Sequence, residues 1–177
     1  MTDLNILLAG FGGQGLLFFG KVTATAALME GKEVTWFPSY GPETRGGTCS
    51  CGVCVSDKPV ASPLVLAPNV LVVMNLPSYR RFIGDLVPGG LALIDSSMAQ
   101  EPVTRTDIRT VLLPATQLAT DAGLLGLANM ILLGRLFREL RFCRNDTLRE
   151  GLRNCVPARK AAMLDANLRA LEIGKSR

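Results

Sequence analysis

The chain has no histidine among its 177 residues, and only one tryptophan and two tyrosines. Without imidazole it cannot build a Ser-His-Asp or Cys-His nucleophile from its own residues. A histidine zinc site, a two-histidine iron site and a histidine proton shuttle are excluded on the same ground. Long hydrophobic runs are scarce as well. The longest uncharged apolar stretch in the C-terminal half is Ala122–Gly134, short of the roughly 20 residues a spanning helix needs. Met1-Thr2-Asp3 lacks the basic start of a secretory signal. These absences predict a cytoplasmic chain with no membrane partner, whose five cysteines remain free thiols.

Apolar residues make up 48% and charged residues 19%, enough to fill one core, so a single domain over 1–177 is expected. The net charge is +4, unevenly spread. Residues 135–177 carry 11 basic and 5 acidic groups, while residues 1–134 carry 8 and 10.

Short apolar runs bounded by turn residues read as strands at Leu4–Ala9, Glu33–Phe37, Cys49–Ser56, Val70–Met74, Leu91–Ile94 and Thr110–Leu113. Pro38 is expected to stop the second, and Pro114 the last. Helices are expected over Gln14–Met29 and Ser78–Leu86, and from Ala115 onward, with Asn145–Leu152 and Ala158–Ile173 separated by Pro157. The fold class is therefore α/β: a three-layer α/β/α domain with a mostly parallel or mixed central sheet and a helical C-terminal third.

Four features carry candidate chemistry. Gly10-Phe11-Gly12-Gly13-Gln14-Gly15 fits G-x-G-x-x-G between a strand and a helix, where backbone amides can meet a phosphate. A dinucleotide fold also wants an acid at the end of the second strand, but that strand runs out in Phe37-Pro38-Ser39. Phosphate contact and a ligand-free turn both stay open. The loop Ser39–Thr48 holds Tyr40, Glu43 and Arg45 among turn residues. Arg45 can fork onto a phosphate or carboxylate, or simply pair with Glu43. Cys49, Cys51 and Cys54 suggest a metal cluster, yet the only other cysteines, Cys143 and Cys155, are distant. Strand alternation instead points Cys49 and Cys51 one way and Cys54 the other, so no metal ligands are assigned. Arg135, Arg138, Arg141 and Arg144 are spaced as a stripe along one helix. They form either a solvated face or a dock for an acidic partner. No aromatic interleaving or RNA signature accompanies them, so no nucleic-acid partner is expected.

Taken together, Gly10–Gly15, Gly31–Glu43, Arg45-Gly46-Gly47-Thr48 with Cys51, Pro114-Ala115-Thr116 and Ala128-Asn129-Met130 closely resemble the gamma subunit of 2-oxoacid:ferredoxin oxidoreductases. The resemblance covers about residues 4–173, and Tyr40–Thr48 is its most specific part. It implies a complex that oxidatively decarboxylates a 2-oxoacid, forms an acyl-CoA and passes electrons to ferredoxin. The wording around Val34–Ser39 looks most like the 2-oxoglutarate enzymes, which make succinyl-CoA. Pyruvate and branched-chain 2-oxoacid enzymes are the alternatives. Thiamine diphosphate and the 4Fe-4S clusters would sit on other subunits, named alpha and beta, with a ferredoxin-like delta chain. This chain would not catalyse alone. Gly10, Gly12, Gly13, Gln14 and Gly15 match the glycine turn. Tyr40, Glu43, Arg45, Gly46 and Gly47, with Ser39 beside them, match the second loop. By resemblance these residues would face partner chains and the anionic part of CoA. Thr44 stands where many relatives carry Met. Cys49 and Cys54 lie outside the family pattern. A free-standing nucleotide-binding module and a purely structural subunit are the other readings.

Overall fold

The computed structural model describes residues 3–40 and 48–177. Six strands form one sheet in the order β2-β3-β1-β4-β5-β6. They are β1 (Leu4–Phe11), β2 (Glu33–Tyr40), β3 (Thr48–Ser56), β4 (Val70–Val73), β5 (Leu91–Asp95) and β6 (Arg109–Leu113). β1, β4, β5 and β6 run parallel, and β3 is antiparallel to both β1 and β2. β4 and β5 are buried along their whole length, which explains why they read as continuous apolar runs rather than as alternation.

The helices are α1 (Leu16–Met29), α2 (Leu76–Phe82), α3 (Ala115–Asp121), α4 (Ala128–Leu140), α5 (Asn145–Cys155) and α6 (Leu164–Ser176). The larger core packs α1, α4, α5 and α6 against one sheet face, around Phe19, Leu93, Leu132, Phe137 and Leu171. The smaller core lies on the other face, where Tyr79, Leu86 and Ala99 cover Leu71, Val73 and Ile94. Among the described residues no helix is long and apolar enough to cross a membrane.

Three sequence expectations change. β2 does not stop at Pro38 but continues to Tyr40, with Pro38 opposite Cys51. β2 is an edge strand, and there a proline's missing donor can face away from the ladder. The helical reading from Ala115 onward is broken between α3 and α4, where Gly123 and Gly126 adopt φ +67° and +80°. The arginine stripe does not lie on one helix. α4 ends at Leu140, Arg141 caps it in the left-handed region, and Arg144 caps the start of α5. The side chains also part company: Arg135 pairs with Glu139, Arg144 pairs with Glu30, and Arg141 lies over the Phe137 ring.

α4 and α6 cross with their backbones in contact. A Cβ on Gly134 would overlap the carbonyl oxygen of Leu171, and a Cβ on Gly174 would overlap that of Ile131. Neither neighbour is a flexible side-chain end, so the helices must separate if either glycine gains a methyl group. Gly174→Ala is expected to destabilise the fold by about 2–3 kcal/mol, whereas Gly84→Ala, facing open space, should change stability little. Urea denaturation followed by Trp36 fluorescence compares the two.

Candidate functional site

The glycine turn closes the carboxyl end of β1. Its shape is set by one side chain. Gln14 Oε1 accepts the Phe11 N–H at 2.6 Å, and Gln14 Nε2 donates to the Met74 carbonyl at the end of β4, at 3.0 Å. Asn75 Nδ2 also donates to Gln14 Oε1, at 3.2 Å. Glycine is required at both ends of the turn. A Cβ on Gly10 would come within 2.6 Å of Gln14 Oε1. Gly15, at φ +77°, faces Asn129, whose Nδ2 donates to the Gly15 carbonyl at 3.0 Å.

This turn therefore differs from a dinucleotide cradle. The Phe11 amide is already bound to Gln14. The amide side chain also fills the gap between β1 and β4, where the strand order reverses and a doubly wound sheet usually takes its ligand. The space left at this end is a hollow of about 240 Å³, lined by Gly13, Gln14, Met74, Met98, Thr116 and Thr120.

The neighbouring strand ends are tied by similar polar contacts. Asn75 Oδ1 accepts the Ser78 N–H at 2.8 Å and so caps α2. Asp95, fully buried at the end of β5, accepts the Thr116 N–H at 3.1 Å and the Thr116 hydroxyl at 2.6 Å. It holds the start of α3, a favourable place for an anion.

The residues singled out from the sequence divide in two. Gly10, Gly12, Gly13, Gln14 and Gly15 form the turn. Ser39 and Tyr40 end β2. In the ladder Gly10 stands opposite Cys49, and Cys49 opposite Tyr40. The two loops thus start at the same sheet end, two strand spacings or about 10 Å apart. Glu43, Arg45, Gly46 and Gly47 lie outside the described residues. Asn75 and Asp95 went unrecognised as functional positions in the sequence. The Asn-Leu-Pro-Ser pattern at 75–78 is an N-cap signal for the first, but Asp95 caps a helix distant in sequence and leaves no local mark. The role of Asn129 likewise depends on a contact 114 residues away.

The β3 thiols alternate as strand geometry requires. Cys51 packs beside Gly20 of α1, and the Cys54 thiol points to the Ser62 carbonyl. The three sulfurs do not converge, so β3 does not fit a cluster's ligand set. Burial pushes Cys51 from its ordinary value of 9.0 up to about 12, despite a hydrogen bond from Trp36. Burial, with the Glu30 charge nearby, raises Cys143 to about 12 as well.

With this geometry in place, known proteins can be compared. A family model described as pyruvate ferredoxin/flavodoxin oxidoreductase matches residues 5–176. The chain belongs to this family. The ketoisovalerate oxidoreductase subunit VorA of Methanothermobacter thermautotrophicus is 40% identical over 97% of this chain, and the match covers 36% of that protein. The chain thus spans about a third of the length of that relative. The 2-oxoglutarate synthase subunit KorC of Methanocaldococcus jannaschii is 32% identical over 86% of this chain and 83% of its own length. Among solved structures, the keto/oxoacid ferredoxin oxidoreductase gamma subunit of Geobacter sulfurreducens superposes with TM-score 0.84 at 25% identity, over 98% of this chain and 96% of that one. A 2-oxoglutarate:ferredoxin oxidoreductase from Magnetococcus marinus gives TM-score 0.90 at 26% identity, over 99% of this chain and 31% of that one. The family domain thus occurs both as a separate chain and as part of a longer one. The fold expected from the sequence, an α/β domain of the gamma-subunit type, is the one observed.

Two measurements check the site. Gln14→Ala leaves the Phe11 N–H and the Met74 carbonyl without their partner, and is expected to cost about 1–3 kcal/mol in urea denaturation. The thiols give a pH test. Cys51 and Cys143 ionise near 9.0 when unfolded but only near 12 in the fold. Their contribution to stability is complete below pH 9.0 and falls as pH rises toward 12. Native-state alkylation near pH 8, read by mass spectrometry, should leave both thiols largely unmodified until denaturant is added.

Proposed function

We propose that this chain is the gamma-type subunit of a 2-oxoacid:ferredoxin oxidoreductase. The complex would convert a 2-oxoacid and CoA to an acyl-CoA, with release of CO2 and transfer of two electrons to ferredoxin. Thiamine diphosphate would supply the carbanion chemistry and iron–sulfur clusters the electron path, both on alpha, beta and delta partner chains. The observation that carries the reading is the family match over residues 5–176. It is supported by the shared sheet end from which the glycine turn and the 39–48 loop depart.

Within that complex, Gly12 and Gly13 of the turn and Arg45 of the second loop would face the anionic part of CoA, with Ser39, Tyr40 and Glu43 beside them. Arg45 would act by charge and by its fork geometry. The 2-oxoacid itself is a choice between two classes. The wording of Val34–Ser39 favours 2-oxoglutarate. Identity of 40% to a ketoisovalerate subunit, against 32% to a 2-oxoglutarate subunit, favours a branched-chain acid. The whole-chain comparison is the broader of the two and makes the branched-chain acid the first to test.

A native pull-down of the chain is expected to bring down partner chains. The eluate should reduce a viologen dye in a CoA-dependent reaction with 2-oxoisovalerate or 2-oxoglutarate, with pyruvate as the third arm. Arg45→Ala should leave the complex assembled and raise KM for CoA by about tenfold, the loss of one charge-assisted contact. An assembled variant with unaltered CoA dependence would remove Arg45 from the site. A chain that binds no cognate subunits would overturn the subunit reading.

A further inference from the structure

A second and larger cavity, of about 460 Å³, opens on the other side of the glycine turn, between α1, the start of α4 and the 156–163 segment. Its size is that of a small-molecule site. Three cations line it: Lys21 on α1, and Arg159 and Lys160 on the link between α5 and α6. No carboxylate lines the cavity among the described residues, and none of the three cations has an ion-pair partner there. Most of the other basic side chains of residues 135–177 behave differently: Arg135, Arg144, Arg149, Arg153 and Lys175 all hold carboxylates. Positive charge is therefore left uncompensated in a concave place, where its field is focused.

The remaining wall is not a bare anion hole. Phe18, Leu127 and Met163 give it an apolar side, and methionine adapts readily to a flat or irregular partner. Asn129, 3% exposed, also lines the cavity. Its Nδ2 is held by Gly15, but its Oδ1 has no hydrogen-bond partner among the described residues.

We propose that this cavity binds an organic phosphate of nucleotide size, with phosphates on Lys21, Arg159 and Lys160 and the apolar body against Phe18 and Met163. The ligand lies beside the glycine turn rather than within it, so Gln14 keeps its contacts. Such binding requires no partner chain and is read without turnover. Its failure is therefore separate from failure of the subunit reading.

The test is isothermal titration of the purified full chain with ADP, inorganic pyrophosphate and CoA. Saturable ADP binding, tighter than pyrophosphate and weakened about tenfold or more by R159E/K160E, is the expected result. Met163→Ala should weaken ADP but not pyrophosphate, while Arg80→Glu, on α2, should change neither. Displacement of ADP by CoA would identify the nucleotide end of CoA as the source, whereas ADP binding unaffected by CoA would point to a free nucleotide. Absence of ADP binding, binding indifferent to R159E/K160E, or pyrophosphate binding as tight as ADP would overturn the proposal. Circular dichroism of each variant confirms that the fold is retained.

Discussion

One primary amide holds together the end of the molecule where the strands finish. Gln14 takes the Phe11 N–H on one side and gives its own hydrogens to the Met74 carbonyl on the other. In doing so it ties the end of β1 to the end of β4. Asn75, which donates to the same Gln14 oxygen, then caps α2. Further along, Asp95 joins β5 to α3 through Thr116. Each link satisfies a backbone group that would otherwise be stranded at a buried strand or helix end. The result is a rigid polar rim. The glycine turn takes its position from that rim.

The same amide explains how a glycine motif associated with nucleotides can serve another purpose. The tight turn, the close approach of backbone to α1 and the left-handed Gly15 are all present. Inside the turn, the Phe11 N–H and the Met74 carbonyl are taken by Gln14. Glycine spacing thus reports the path of the backbone, while the occupant of the turn depends on a side chain that the spacing leaves unspecified. The free cations and the larger cavity stand outside the turn, beside α1 and the α5–α6 link.

What could be read from residues alone follows from the range of the interactions. The strands were legible because buried parallel strands are written as local apolar runs, as at Val70–Val73 and Leu91–Asp95. The glycine turn at the end of β1 was legible because its glycines cluster between a strand and a helix. Pro38 misled because a local rule stops a strand at proline, whereas the exception depends on β2 being an edge, a property of the whole sheet. The arginines misled because their spacing is helical while Arg141 and Arg144 are the caps of two successive helices. Asp95 and Asn129 were opaque for a similar reason: each acts on a backbone group far away in sequence. The cation cavity joins α1 to the α5–α6 link, and no local pattern announces that meeting.

The glycine crossing of α4 and α6 has a bearing on how the chain comes to be made. α4 carries Leu132, Leu133, Leu136 and Phe137, all fully or almost fully buried, and Gly174 seats against it from α6. During synthesis α4 emerges well before its cover. Until α6 has left the ribosome, that apolar stripe faces the solvent, a state prone to off-pathway association. The local sheet pairings of β1 through β6 can form in that interval, but the helical layer cannot close. Closure of the core is thus deferred until α6 has been synthesised, and the nascent chain is vulnerable in the interval between α4 and α6.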